Sequence, residues 1–130
     1  MKLIENYRSD YTIVSGITPC EVFAGKELKD FLYKATSVIL PLIEGYGKKI
    51  KHPIFSVGDT KLLQESAKKS LLDDVKDDGY VMFVEGDTIF LSGKTPRGTL
   101  NGVYGFLQRF CGIRFFSEVE TYIEEVSEIE

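Results

Sequence analysis

The stretch YVMFVEGDTIFLSG, from Tyr80 to Gly93, constrains what this chain can fold into more than any other. Gly86-Asp87 stands between two runs rich in β-branched and aromatic residues. Glycine first in a two-residue connection is the signature of a type II′ hairpin turn. The turn fixes the register: Glu85 faces Thr88, Val84 faces Ile89, Phe83 faces Phe90, Met82 faces Leu91 and Val81 faces Ser92. Side chains alternate along a strand, so one face carries Tyr80, Met82, Val84, Ile89 and Leu91 and belongs on a core. The other carries Val81, Phe83, Glu85, Thr88, Phe90 and Ser92, with Phe83 and Phe90 as an aromatic cross-strand pair in its middle. Two large rings turned away from the main core predict an exposed apolar patch at Phe83 and Phe90. Such a patch is a candidate interface and a route to self-association of the isolated chain.

Signals for other elements lie on both sides of the hairpin. DYTIVSG (Asp10–Gly16) reads as a strand. In the TPCE that follows, Thr18 is an N-cap, Pro19 fits the first helical position and Glu21 completes a capping box. Cys20, Ala24, Leu28, Phe31, Leu32 and Ala35 recur at helical spacing, which predicts a helix ending near Thr36. Val38–Gly45 is extended, and Pro41 makes it an edge or irregular strand. Pro53–Gly58 is a compact strand, after which Asp59 or Thr60 caps a short helix through Leu63, Ala67 and Leu71. That helix stops in the acidic loop DDVKDDG.

Beyond the hairpin, Thr95 caps and Pro96 opens a third helix with an apolar stripe at Leu100, Val103, Tyr104, Leu107 and Cys111. Gly112 is its expected C′ residue. IRFF is a further strand, and the tail VETYIEEVSEIE is ambiguous between strand and helix. The order predicts an α+β fold, an α/β sandwich. Its sheet is expected to be mixed and largely antiparallel, with two or three helices mainly on one face.

Several apparent motifs fail on spacing. A phosphate loop needs GxxxxGK[ST] between strand and helix; Gly93-Lys94-Thr95 supplies the end, but the first glycine would fall at Thr88, inside a strand. Asp74, Asp78, Gly79 and Glu85 imitate a calcium loop, yet its third position is Lys76 and a hairpin follows instead of a helix. Cys20 and Cys111 form no CxxC pair, and His52, the one histidine, has no partner motif, so no metal or catalytic triad is indicated. No catalytic residue, cofactor site or metal ligand is assigned. The net charge of −4, concentrated between Glu118 and Glu130, gives no basic face for nucleic acid. No apolar run approaches the length of a membrane span. With 130 residues the chain reads as one domain.

The third helix holds the most informative irregularities. Gly98, Gly102 and Gly105 fall on one side of it, and each costs roughly 1 kcal/mol relative to alanine. A stripe of them implies that another backbone, most naturally the sheet, comes close there. Arg97 lies in the first turn, where the helix dipole disfavours a cation. It therefore reaches a carboxylate or faces a partner.

The segment SGKTPRGTLNGVYGFLQRFCGIRFF resembles G-x-x-x-R-G-x-x-x-G-V-Y-x-F-L-E-x-x-x-G-x-R, found in accessory domains that precede the catalytic barrel of many glycoside hydrolases. Family 67 α-glucuronidases and family 20 β-hexosaminidases carry such domains. FAGKELKDFLYKATSVILPLIE is similar to the family's first helix and following strand, and PIFSVGDT to its I-x-x-G-x-T strand. The hairpin completes the set, which runs in order from about Tyr11 to Phe116. Gln108, Ser37 and Phe116 depart from the usual pattern without disturbing the fold.

The resemblance implies a single accessory domain over 1–130, cut short before a C-terminal (β/α)-barrel of the same polypeptide. Its implied role is to support and orient that glycosidase barrel, not to catalyse. The residues carried over as a structural or interface motif are Arg97, Gly98, Gly102, Val103, Tyr104, Gly105, Phe106 and Leu107. The alternative is a stand-alone module binding carbohydrate or a protein. The compartment stays open: cytoplasmic if Met1 is the native start, secreted or periplasmic if a leader was removed.

Overall fold

The computed structural model describes residues 9–45, 53–66, 68–76, 79–111, 114–115 and 121–122. A five-stranded mixed sheet is built from β1 (Thr12–Ser15), β2 (Leu42–Glu44), β3 (Ile54–Val57), β4 (Tyr80–Glu85) and β5 (Thr88–Gly93), in the order β2-β1-β3-β5-β4. The helices are α1 (Pro19–Thr36), a single turn α2 (Lys61–Gln64) and α3 (Pro96–Cys111). A 3₁₀ segment, Lys69–Asp74, follows α2. A separate ribbon pairs β6 (Arg114–Phe115) with β7 (Thr121–Tyr122). The fold is α+β, as the sequence predicts.

The sheet departs from expectation in its pairing. β1 is parallel to both β2 and β3, and β3 is parallel to β5; among these five strands only β4–β5 is antiparallel. The sheet is thus mixed but predominantly parallel. The reason is connectivity: β1 reaches β2 through α1, a crossover that returns the chain in the same direction, and the Gly86-Asp87 turn makes the antiparallel pair. That pair has the register read from the sequence, from Glu85↔Thr88 to Val81↔Ser92. Gly86 supplies the positive φ, 60°, that the turn requires.

Local signals set the helix ends. Thr18 Oγ1 accepts from the Glu21 N–H while the Glu21 carboxylate reaches back to Thr18, a complete capping box. Ser37 closes α1 in a left-handed conformation, its N–H bonded to the Tyr33 carbonyl. Thr60, not Asp59, caps α2 through its hydroxyl. At α3, Thr95 Oγ1 accepts from the Gly98 N–H. The expected second strand, Val38–Gly45, shortens to Leu42–Glu44. Pro41 stands just before it and contributes a carbonyl that accepts from Ile13 N. Ala67, His52, Gly112, Ile113, Phe116 and most of the acidic tail lie outside the described residues.

One core lies between the sheet and the paired helices α1 and α3. Tyr11, Ile13, Phe55, Val57, Ile89 and Leu91 meet Ala24, Leu28, Leu32, Val103, Phe106 and Leu107. The alternate strand residues Val14, Ile54, Ser56 and Phe90 face the other way and are buried as well. There the Ser56 hydroxyl lies 2.6 Å from that of Thr60, the cap of α2. Burial on both faces is what a mainly parallel sheet demands. It also corrects the expected exposed patch: Phe90 is 3% exposed and Phe83 half-buried, their rings stacked at 4.7 Å. The expectation fails because the segment after β3 covers that face: the Ser66 hydroxyl donates to Glu85 and the Lys68 ammonium lies 5.9 Å from the centre of the Phe83 ring.

Candidate functional site

In open sheets with parallel strands, ligands enter where two adjacent strands send their connections to opposite faces, at the strands' carboxyl ends. Here that place is between β1 and β3. β1 leads into α1 on the main-core face, and β3 leads into α2 on the other. The strand ends are tied together by main-chain bonds, Gly16 N–H to the Val57 carbonyl at 2.9 Å and Gly58 N–H to the Leu91 carbonyl at 2.9 Å.

The recess is filled by Glu21. Its Oε1 accepts from the Thr18 hydroxyl at 2.7 Å and faces the Thr18 N–H at 3.4 Å. Its Oε2 accepts from the Asp59 N–H at 2.5 Å. The side chain is 4% exposed. Gly16 and Gly58 wall it in: a Cβ on either would overlap the carboxyl group, and Gly58 has φ 86° besides. Asp59 itself is exposed and accepts from the Gln64 side-chain amide. From the sequence Glu21 is legible only as half of a capping box. A signal for its larger role is visible in TIVSG and IFSVG, two strands that each end on a glycine.

The residues singled out on α3 divide between packing and surface. Val103, Phe106 and Leu107 are buried in the core, with the Phe106 ring 5.3 Å from that of Phe55. Gly93 of β5 admits the start of α3: a Cβ on Gly93 would overlap the Gly98 and Thr99 main chain. The Thr99 hydroxyl accepts from the Gly93 N–H at 3.0 Å and secures that approach. At Gly102 and Gly105 the neighbour is not sheet backbone but the ring of Tyr80. A Cβ on Gly102 would sit 3.2 Å from that ring, and one on Gly105 would overlap the Tyr80 hydroxyl. Two of the three stripe positions thus face the Tyr80 side chain, where the spacing implies an approaching backbone. Arg97 is exposed in the first turn of α3.

Tyr104 is half-buried on the seam between α3 and α1. Burial raises its phenol above the usual range, and Glu27 and Cys20 raise it further. Burial likewise raises the Glu27 carboxyl, with Asp30 adding to the effect and Lys34 opposing it. Both cysteines are free thiols; Cys111 is buried and pushed up to about 12 by that burial.

The two decoy motifs also find their places. Thr88 lies in β5, and Glu85, on β4, accepts from the Ser66 hydroxyl at 3.0 Å. Among the described residues no group of three or more His, Cys, Asp or Glu side chains is arranged to hold a metal ion, and no helix is long and apolar enough to cross a membrane. No protein-family model matches the chain, and no curated protein matches it either.

Proposed function

We propose that this chain is a non-catalytic accessory domain of a carbohydrate-active enzyme, one that supports and orients a glycoside hydrolase barrel. One observation carries the reading. The segments that resemble the accessory-domain family fall in order on α1, β2, β3, the hairpin and α3, and the motif glycines Gly102 and Gly105 face Tyr80 of the same domain. A second feature supports a scaffolding role: the crevice at the carboxyl ends of β1 and β3, where such sheets take ligands, is filled by the chain's own Glu21.

The test begins with the open reading frame. The expected result is a barrel-length continuation whose turnover of aryl glycosides falls, or whose unfolding temperature drops, when this domain is removed. A frame without a barrel, or a barrel indifferent to the domain's removal, would overturn the proposal. So would turnover by the isolated domain that vanishes on changing one of its carboxylates. Saturable binding of an oligosaccharide by the isolated chain, with no barrel in the frame, would favour a stand-alone module.

A further inference from the structure

We propose that the recess between the ends of β1 and β3 is a carboxylate-binding site, occupied in the folded chain by Glu21. A free small carboxylate would enter it when that side chain is shortened. An ordinary capping-box glutamate folds back on its own N-cap at the helix surface. Glu21 does this with one oxygen only. Its second oxygen bonds the Asp59 N–H, in the connection from β3 to α2 and 38 residues along the chain. The carboxyl group is thus held by donors from two loops that leave the sheet on opposite faces, and it is 4% exposed.

The donor set has the chemistry of a carboxylate receptor. Two backbone N–H groups and one hydroxyl converge on a group that, when ionised, can only accept. Bonds to an ionised acceptor are about twice as strong as neutral ones. None of the donors belongs to the part of Glu21 that a substitution would remove. The Thr18 and Asp59 N–H groups are main chain, and the Thr18 hydroxyl sits on the N-cap. The walls are shaped to the occupant, since glycine stands at both positions where a Cβ would overlap the carboxyl group. The methylenes of Glu21 act as a tether, and cutting the tether leaves donors and walls in place. Formate, which carries no carbon beyond the carboxylate, is the probe that fits the space. Acetate brings a methyl group close to the helix backbone and should fit less well.

The experiment is chemical rescue of Glu21→Ala and Glu21→Gly, read as the thermal unfolding midpoint in formate against chloride at equal ionic strength. Both variants are expected to melt below the parent chain in chloride. In formate their midpoints should rise and saturate, while the parent is indifferent and neutral formamide has no effect. Equal midpoints in formate and chloride for both variants would overturn the proposal, as would an equal response to formamide or of the parent chain. Should the variants be unfolded in chloride, formate should restore their near-ultraviolet circular dichroism, and failure to restore it counts against the site. The outcome is independent of the accessory-domain reading.

Discussion

Two recesses walled by glycine are each filled by one side chain of the same molecule, and they differ in every other respect. At the carboxyl edge of the sheet, Gly16 and Gly58 enclose the Glu21 carboxylate, which is 4% exposed. On the outer side of α3, Gly102 and Gly105 receive the Tyr80 ring, which is 39% exposed. In the first recess a carboxyl group has given up water for three fixed donors, and a buried polar group is tolerable only while those bonds are kept. In the second a ring lies along a helix surface, held by dispersion and area, its root against Gly102 and its hydroxyl end at Gly105. Glycine is required by electrostatic seating in one case and eases an apolar contact in the other. Substitutions of the same size should therefore have unequal consequences.

The largest effect is expected at Gly58. Alanine there meets both a positive φ and the Glu21 carboxylate, so the variant should lose about 3 kcal/mol from strain and broken bonds together. Denaturant unfolding reads this directly; a shift below about 0.5 kcal/mol, typical of an ordinary surface site, would remove the carboxylate seat from the account. Next comes Gly102→Leu, which forces volume against the Tyr80 ring in a buried position and should cost about 1–3 kcal/mol by overpacking. An unchanged midpoint would mean that this side of α3 looks into solvent.

The smallest effect sharpens the contrast. Gly105→Ala overlaps the hydroxyl and Cζ at the far end of the Tyr80 side chain, which can give way, and alanine gains about 1 kcal/mol of helix propensity. The net change should lie within about 0.5 kcal/mol of zero. In a Tyr80→Ala background the same substitution should stabilise by about 1 kcal/mol. A loss in both backgrounds would show that Tyr80 is not what fills the stripe.

What could be read from the sequence divides along the same line between local and distant. The capping box at Thr18 and Glu21, the opening of α3 at Pro96 and the whole β4–β5 register were legible, because each is written within a few residues. The parallel pairings were not. β1 and β3 are joined through elements that leave no turn signature, so the one pairing with a local signal, the hairpin, was extended to the sheet as a whole. The burial of Phe90 is not legible in the hairpin, because the segment that covers its face, around Ser66 and Lys68, is distant in sequence. Asp59's contact with Glu21 spans 38 residues and could not be seen from a capping box alone. The glycines on α3 were read as a close contact, but their occupant, Tyr80, sits on the edge strand of the hairpin, outside any helical pattern.

The most direct test of the central claim, that glycine at the sheet edge exists to seat the chain's own carboxylate, is a double-mutant cycle between Gly16→Ala and Glu21→Ala. Gly16 has no positive φ, so alanine there should be costly only through its overlap with Glu21. With Glu21 present, Gly16→Ala should cost about 1–3 kcal/mol in denaturant unfolding. With Glu21 already removed, it should be nearly neutral, giving a coupling of the size expected for residues in contact. The same cost in both backgrounds would contradict the account.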